Sequence, residues 1–542
     1  MHTSPLLLSL LLPTLTNSHL FDSCSGAPST PTDANPKIYL LRADQSSEIS
    51  QDDLFTASAY AGLLSRDPSS PQLAVIQKDA DLAWFASPSD GTPSGSWQVK
   101  SVSSLEEILT NIPCSGCGYA LAELRSNSTT AAINYAAGTE ASLVATDSNK
   151  DLLEQHGVQM AIDLTEVAAL DPEWALNSGL EFSDRVSVLQ TPSSFVALSD
   201  LAVKCRALTW WGVNGDCKEA AIAPKALSLL DPADGDAVVI GWGGGDDPEW
   251  GCVHAASAYG AAGVIAADWA LNLAALGNLP AAASQADARG VEEKEEEPTG
   301  KHTVSFLMSD GDNVQWLLND WSFTEDNWWN SPDRGSVPLG WTLSPSLAAL
   351  APTALAQIYG SKTDNDQFLA GPSGAVYSFP NDIPEEVAGK NAEETAYWMK
   401  AAGHSVVNVI ADSDGVGGGT PDTMKWLLGE DQVESVFLYD FNGYAGLEGE
   451  IDFVGGKPVI GGRFSLWSPD FYDVQGLADA LMGLENLEDG GSSDGYSLIP
   501  VHAWSHSVSD VLAVAQLLEQ DGRFDVVLPD ELVRRVNAFV KQ

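Results

Sequence analysis

The amino-acid sequence predicts an α/β protein, with a (β/α)8-type, TIM-like barrel in its C-terminal part and an α/β, Rossmann-like region before it. Strand-like apolar runs alternate with helix-like segments along the chain, and such alternation favours parallel sheets covered by helices. Beyond residue 301 about eight strand candidates recur, in a length that is normal for a (β/α)8 barrel.

Length and charge bound the class of protein. A chain of 542 residues is expected to hold roughly two to four domains, and 44% hydrophobic with 19% charged residues is typical of a folded protein. Its 75 acidic and 26 basic residues give a formal net charge of -49. Because nucleic acids and anionic membranes are recognised by Lys and Arg, this charge argues against both as partners.

The beginning of the chain predicts export. Leu6–Leu12 forms an apolar core of signal-peptide length, and Pro13 and the small, polar Thr16–Ser18 follow it. We therefore expect residues 1–18 to be a cleaved secretory signal and the mature protein to be extracellular, with no membrane attachment. Export also makes Asn127, in Asn-Ser-Thr, a candidate glycan acceptor.

In an oxidising compartment the six cysteines become disulfide candidates. Their spacing suggests a turn-closing Cys114–Cys117 bridge and a second bridge, Cys205–Cys217. Cys24 and Cys252 stay unassigned. The region after residue 301 has no thiol.

Composition shifts divide the chain into units. Residues 36–183 form an N-terminal α/β unit in which no GxGxxG joins a strand to a helix, so a nucleotide site is not supported. Residues 184–283 form a second α/β unit. An acidic linker over residues 284–301 then leads to a barrel domain over residues 302–542, because like charges repel and resist packing.

Three strand-end residues of the second unit have two interpretations. Trp242, Glu249 and Asp268 are expected to be a packing indole and loop acids, and contacts at the barrel mouth are the alternative. The barrel strands themselves are expected at Thr303–Met308, Pro338–Thr342, Asp366–Ala370, Ser405–Ile410, Val436–Tyr439, Pro458–Ile460, Ser497–Val501 and Phe524–Leu528.

The first barrel strand ends in a concentration of polar residues. The apolar, partly β-branched run from His302 breaks into Asp310, Gly311, Asp312 and Asn313, with a helix-like segment behind. One of them is expected to cap that helix. Since one helix start needs one cap, the cluster predicts chemistry.

Other strands also end in polar or aromatic residues, at the edge where barrels build active sites. These are Asp412 and Asp414 after the fourth strand, Asp440 and Asn442 after the fifth, Arg463 and Trp467 after the sixth, and His502, Trp504 and His506 after the seventh. Burial and repulsion push the pKa values of converging carboxylates apart, which gives an acid and a base near neutral pH. Glycosidic hydrolysis requires such a pair.

Tryptophans are concentrated between the first two barrel strands. Indoles offer flat apolar faces and a hydrogen-bonding edge, which suits a sugar ring. We expect Trp316 and Trp341 to pack the loop onto the barrel. Trp328 and Trp329 are adjacent, so at least one of them is expected to be exposed.

Five segments resemble the GxGYxYxP proteins, a proposed family of glycoside hydrolases: Gly241–Trp242, Ala267–Leu273, Phe306–Gln315, Gly371–Pro380 and Pro500–Trp504. In the naming motif Gly374 and Tyr377 fit, whereas Val376 replaces the second glycine, Phe379 replaces the second tyrosine, and Pro380 comes one place early. The resemblance implies an N-terminal region, a C-terminal barrel and a carbohydrate substrate.

The leading hypothesis is a secreted glycoside hydrolase that needs no cofactor or metal. Asp310 or Asp312 would supply one catalytic carboxylate, and Asp412, Asp414 or Asp440 the other. Substrate contacts are expected from Asn313, Trp328, Trp329, Ser373, Tyr377, Arg463, Trp467, His502 and Trp504. Two alternatives stay open: a polysaccharide deacetylase in which Asp310, Asp312 and the histidines hold a divalent cation, and a carbohydrate-binding surface protein without catalysis.

Overall fold

The protein is a mixed α/β structure built on parallel sheets. The computed structural model describes residues 19–21, 24, 36–87, 89, 91, 93–167, 173–211, 217, 222–242, 250–279, 298–309, 313–324, 327–411, 424–441, 447–485 and 491–540. In this part of the chain, no helix combines the length and the apolar character needed to cross a membrane.

The N-terminal strands form three small parallel sheets. Their orders are β2-β1-β3, β5-β4-β6 and β10-β9-β7-β8. The strands are β1 (Lys37–Arg42), β2 (Gln72–Ile76), β3 (Gln98–Val102), β4 (Gly118–Leu121), β5 (Ser142–Ala145), β6 (Gln159–Asp163), β7 (Val186–Leu189), β8 (Leu208–Trp210), β9 (Val238–Ile240) and β10 (Gly263–Ile265). The expected parallel pairing is confirmed. The strands between residues 37 and 163 are divided between two separate sheets.

The C-terminal strands form one large sheet in the order β16-β17-β15-β14-β13-β12-β11-β18, with β19 paired to β11. They are β11 (His302–Ser309), β12 (Leu339–Leu343), β13 (Asp366–Ala370), β14 (Val406–Ala411), β15 (Ser435–Asp440), β16 (Ile451–Val454), β17 (Lys457–Gly461), β18 (Tyr496–His502) and β19 (Phe524–Val526). The eight expected strands are all present, and β16 adds an antiparallel hairpin to β17.

The last strand departs from a regular eight-stranded order. β18 pairs directly with β11 from Thr303 opposite Tyr496 to Ser309 opposite His502. β19 therefore does not lie between them, and it pairs only with the first residues of β11. Isolated parallel bridges join Gly462 to Leu498 and Leu466 to Val501, so the chain after β17 contacts β18.

Helices cover these sheets: α1 (Gln51–Ser65), α2 (Asp79–Ala83), α3 (Leu105–Asn111), α4 (Asn127–Gly138), α5 (Lys150–Gln155), α6 (Glu173–Asn177), α7 (Ser199–Cys205), α8 (Ala223–Leu227), α9 (Trp250–Tyr259), α10 (Leu273–Leu276), α11 (Asn313–Leu318), α12 (Asp320–Phe323), α13 (Leu347–Leu350), α14 (Pro352–Gly360), α15 (Glu385–Ala402), α16 (Met424–Gly429), α17 (Val474–Met482), α18 (Val508–Asp521) and α19 (Pro529–Phe539). Short 3-10 turns lie at Pro192–Ser194, Pro232–Asp234 and Ser493–Gly495.

Helix ends follow local sequence signals. In α18, Ser507 accepts a bond from the backbone of Asp510, whose carboxylate accepts the Ser507 N–H in return, which is a capping box. α15 begins after Pro384 and ends at Gly403, whose φ of 80° is left-handed.

One end of the large sheet is covered by α19. Buried residues of α19, among them Leu532 and Val536, share a cluster with Leu307, Val406 and Phe437 of the strands. The alternate residues of the strands pack in other clusters, as expected from the two-residue repeat of a strand. Leu307, Val406 and Phe437 thus face the inside of the curved sheet.

The disulfide predictions are partly wrong. The Cys114–Cys117 bridge is confirmed. Cys205 pairs with Cys24 and not with Cys217, and Cys217 pairs with Cys252. Sequence proximity favoured Cys205–Cys217, but partner choice is decided by which Cα atoms the fold brings within reach.

The segment that carries the naming motif joins the large sheet to β10. Tyr377 and Val264 form an antiparallel bridge, with N–H to O distances of 2.9 and 2.7 Å in the two directions. Gly263 has a φ of +145°, and a Cβ built there would lie 2.2 Å from the Tyr377 carbonyl oxygen. The joint therefore requires glycine at position 263.

Substituting Gly263 with alanine is expected to destabilise the protein by more than about 2 kcal/mol, because a methyl group cannot fit against the Tyr377 carbonyl. Urea unfolding followed by tryptophan fluorescence would measure the loss. Gly360→Ala is the matched control, since a Cβ there meets nothing within 4 Å. Equal stability of the two variants would contradict this account of the joint.

Candidate functional site

The parallel strands of the large sheet place the predicted site residues on one edge. β11 to β15, β17 and β18 pair in parallel, so their carboxyl ends point the same way. Five sequence candidates, Asp310, Asp312, Asp412, Asp414 and Asn442, lie outside the described residues, as does Glu249. The described part of the site therefore consists of the residues immediately before and after them.

A buried hydrogen-bond network lies just inside this edge. Asn408 of β14 accepts bonds at Oδ1 from the Ser309 hydroxyl at 3.2 Å and from the Tyr439 hydroxyl at 2.9 Å. Thr342 donates to Ser309 at 3.3 Å. All four side chains are buried, so each bond is made in a low-dielectric environment where it is strong.

This network shows that the sheet is curved. In the sheet order, β12 and β13 lie between β11 and β14, yet Ser309 and Asn408 are in side-chain contact. Adjacent strands are spaced about 4.8 Å apart, so a flat sheet would hold these two strands about 14 Å apart. The carboxyl ends of β11 and β14 therefore face each other across the interior.

Asp440 is the last residue of β15 and is half-buried. Tyr439 before it belongs to the inner cluster, while Val436 and Leu438 belong to the cluster on the opposite face. Alternation puts the Asp440 Cβ on that outer face. Its catalytic role stays a prediction.

Asn313 begins α11, directly after the first candidate pair in the sequence. Its Oδ1 accepts the Val314 N–H at 2.6 Å, and it is 2% exposed. Its Nδ2 has no hydrogen-bond partner among the described residues. The Asn313 side chain thus bonds to the backbone at the start of α11.

Aromatic residues and an imidazole line the edge after β17 and β18. The Trp467 indole stacks on the His502 ring with centroids 4.0 Å apart and planes 5° from parallel. The Ser505 hydroxyl lies 2.9 Å from His502 Nδ1. Trp504 is 44% exposed, which makes it the most accessible of the predicted sugar-binding tryptophans.

Burial lowers the pKa of His502 to about 4, with nearby His506 acting in the same direction and Asp470 opposing it. His502 is therefore a neutral hydrogen-bonding group at pH 7. His506 has a structural role instead. Its Nε2 accepts the Ser468 backbone N–H at 3.2 Å, so its proton is on Nδ1, facing Asp510 at 3.3 Å.

The expectation that Trp328 or Trp329 is exposed is wrong, because both indoles pack against other aromatic rings. Trp328 is 5% exposed and packs against Trp316 and Trp504. Trp329 is 6% exposed and stacks on Trp321. Trp316 and Trp341 are buried as expected.

These buried indoles support the exposed one. Trp504 lies with its ring centroid 5.6 Å from that of Trp328 and 6.3 Å from that of Trp316. Trp328 Nε1 also donates to the Ala503 carbonyl at 2.9 Å. Trp504 therefore packs against buried indoles while part of its side chain is exposed to solvent.

Ser373, Tyr377 and Arg463 stay predictions as substrate contacts, and the structure places all three in the framework. The Ser373 N–H donates to the Asn408 carbonyl at 2.7 Å, which attaches the naming segment to β14. Tyr377 is 2% exposed at the joint with β10. Arg463 donates to the Ser493 and Tyr496 carbonyls, near the amino end of β18.

The unit that contains β10 also reaches the edge. The backbone N–H of Gln315, in α11, donates to the Ala266 carbonyl at 2.8 Å. The Gln315 side-chain Oε1 accepts the backbone N–H of Trp269 at 3.4 Å. Trp269 is 56% exposed. Asp268 accepts the Trp242 N–H at 2.6 Å, and both are buried, which agrees with structural roles for these two.

Within the described ranges, no group of three or more His, Cys, Asp and Glu side chains is arranged to hold a metal ion. Sequence reasoning missed Ser309, Asn408, Tyr439 and Trp269. Asn408 had a signal, because it is a polar residue inside the β-branched run Val406–Ile410. Such a residue in a buried strand needs partners.

The chain is similar to known proteins in both sequence and fold. The GxGYxYP putative glycoside hydrolase C-terminal domain matches residues 300–537, and the GxGYxYP third domain matches residues 184–278. Among solved structures, a putative hydrolase from Bacteroides thetaiotaomicron VPI-5482 is similar with a TM-score of 0.78 and 22% identity, over 93% of this chain and 95% of that one. At that identity the likeness shows the fold. No curated protein matches.

In an NMR titration, the pKa of His502 is expected well below its ordinary 6.5, at about 4. Trp467→Ala removes the indole that stacks on the His502 imidazole. The change is expected to raise the pKa of His502 towards 6.5, because one face of the imidazole becomes exposed to water. His404, whose pKa burial lowers to about 3, is the control that should not move. Because the unfolded chain binds more protons between pH 6.5 and 4, these imidazoles should reduce stability as the pH falls through that window. A His502 pKa near 6.5 in the parent protein would contradict the assignment.

Proposed function

The chain belongs to the GxGYxYP family, and we propose that it is a glycoside hydrolase that works at the carboxyl edge of its large sheet. The observation that carries the proposal is the Ser309–Asn408 hydrogen bond of 3.2 Å. Each partner is followed within a few residues by a pair of aspartates, Asp310 and Asp312 in one case and Asp412 and Asp414 in the other. Contact between the two strands supports convergence of the two pairs.

The proposed chemistry needs one protonated and one ionised carboxyl group. The first gives its proton to the leaving glycosidic oxygen, and the second attacks the anomeric carbon or activates a water molecule. Carboxylates brought together repel each other, which raises the pKa of one and keeps the other ionised. Asp440, at the end of the neighbouring β15, is not part of this pair, because strand alternation puts its Cβ on the outer face of the sheet.

The surrounding surface suits a sugar. Trp504 and Trp269 present exposed indoles, Trp467 backs a neutral imidazole, and the substrate would lie between the large sheet and the β10 unit. Apolar faces of a pyranose ring pack on indoles while its hydroxyl groups bond to uncharged polar groups. An uncharged carbohydrate also fits a protein of formal charge -49, which would repel a polyanion.

Two further proposals concern fold and location. We propose that the sheet closes into a ring of seven parallel strands, β11 to β15 with β17 and β18, supported by the bridges from Gly462 and Leu466 to β18. Secretion after loss of residues 1–18 is supported by the pairing of the six cysteines as three disulfides.

Replacing the proposed catalytic carboxylates with amides is expected to abolish turnover. At least one of Asp310→Asn and Asp312→Asn, and one of Asp412→Asn and Asp414→Asn, should lower kcat on a cleaved glycan by about 10²–10⁴-fold, because an amide neither donates a proton nor attacks. The assay is release of reducing ends from a glycan panel.

The matched control is Asp163→Asn, at the exposed end of β6 in an N-terminal sheet, which should retain parental kcat. Full turnover in all four barrel variants would end the catalytic assignment. Release of acetate without new reducing ends would instead identify a deacetylase.

Truncation of Trp504 tests the binding surface. Trp504→Ala is expected to raise KM about tenfold with little change in kcat, because a stacked ring contributes roughly 1.5 kcal/mol of binding. Trp426→Ala removes a comparably exposed indole from α16 and should leave KM unchanged. Equal KM values for the two variants would show that Trp504 does not contact substrate.

A further inference from the structure

The beginning of the described chain is bound to a buried carboxylate of the large sheet's longest covering helix. Glu394 of α15 has a side chain that is 6% exposed. Its two oxygens lie 2.5 Å from the Leu20 N–H and 2.9 Å from His19 Nδ1, and Trp398 Nε1 also donates to it at 2.6 Å. Hydrogen bonds to an ionised acceptor are among the strongest in proteins.

Apolar and covalent contacts fix the same segment. Leu20 is fully buried and Phe21 is 3% exposed, with the Phe21 ring edge-on to Trp398 at 5.8 Å. The His19 imidazole stacks on Tyr397. Cys24 then forms the disulfide to Cys205 at the end of α7. His19–Phe21 and Cys24, here called the strap, thus link α15 to α7.

His19 borders an open, polar cavity of about 850 Å³. Both signs of charge line this cavity, with Glu393, Glu394 and Glu430 among the acidic residues and Arg185, Lys390 and Lys400 as the basic ones. Burial raises the pKa of Glu394, and the hydrogen bonds from His19, Leu20 and Trp398 oppose that shift, so the ionised form bears a desolvation cost. A further cation placed directly against Glu394 would offset that cost.

The strap starts where the sequence predicts cleavage. Thr16 and Ser18 are the small residues expected before a signal-peptidase site, so the first residue after cleavage is His19. Successive backbone nitrogens are at most about 3.6 Å apart. The His19 nitrogen therefore lies within about 6 Å of the Glu394 carboxylate that binds the Leu20 N–H.

We propose that Glu394 is the receptor for a processed amino terminus at His19. Hydrolysis adds water across the Ser18–His19 peptide bond, which leaves a carboxylate on Ser18 and an amino group on His19. That amino group is mostly protonated at neutral pH, because its ordinary pKa is about 7.7–8.0. The resulting ammonium pairs with Glu394 at the border of the cavity, so maturation of the chain strengthens the attachment of the strap to α15.

The proposal rests on the secretory signal predicted for residues 1–18 and is independent of the proposed enzymatic activity. The full-length chain is expressed through a secretory pathway, and the secreted protein is analysed by N-terminal sequencing and intact mass. His19 is the expected first residue. Any other first residue would overturn the proposal.

A stability cycle then tests the role of the charge. Secreted protein that begins at His19 is compared with protein that carries two extra residues, Gly-Ser, before His19, which keeps every side chain. The extension is expected to lower Tm by roughly 1–3 °C at pH 7. It should have no effect in the Glu394→Gln background and its full effect in Glu393→Gln, where an exposed neighbour is changed.

The outcomes separate the proposal from simple packing. If the extension leaves Tm unchanged in the parent protein, the free amino terminus is not bound. If the extension lowers Tm equally with and without Glu394, another group binds the terminus and Glu394 is not its receptor. Because the extension does not disturb the core, the parental comparison stands even if Glu394→Gln fails to fold.

Discussion

The side-chain contact between β11 and β14 is the constraint on which the rest of the architecture depends. Two strands that are not neighbours in the sheet, β11 and β14, are joined by the Ser309–Asn408–Tyr439 network. This contact requires the sheet to curve between them. Curling gives the sheet an inside, which α19 covers at one end. At the opposite end, the strands lead into acidic and aromatic residues in the sequence.

The network also explains why polar residues are tolerated in so apolar an interior. Asn408 Oδ1 accepts hydrogen bonds from two hydroxyl groups, and its Nδ2 donates to the Phe437 carbonyl. Most of its hydrogen-bonding groups are therefore paired. Unpaired, the same amide would cost a few kcal/mol. A hydrogen-bonded polar layer beneath the proposed reactive edge holds the strand ends in one arrangement, which a site of fixed geometry requires.

The naming segment has a structural role in this chain. Residues 371–380 attach the end of β13 to β14 through Ser373 and to β10 through Tyr377. Val376 and Phe379, which depart from the motif, are both buried in this joint. The departures therefore change packing between two units, and they do not by themselves indicate loss of the proposed chemistry.

Sequence reasoning located the strands of the large sheet because each is a short apolar run bounded by polar residues, and that signal is local. It failed where the answer depended on distant parts of the chain. The position of β19 is decided by direct pairing of β11 with β18, and the burial of Trp328 by Trp504, 176 positions later. The expected Cys205–Cys217 bridge is wrong for the same reason. Asn408 stands out as polar within an apolar strand, but the local sequence does not indicate its partners Ser309 and Tyr439.

The Cys24–Cys205 linkage spans 181 positions, and it encloses the first two small sheets in one covalent loop. On a chain-entropy estimate, closing a loop of that length restricts the denatured ensemble by about 5 kcal/mol. Material made in a reducing cytosol would lack this restriction and would fold with a loosely held leading end. Heterologous production should therefore use an oxidising compartment from the outset.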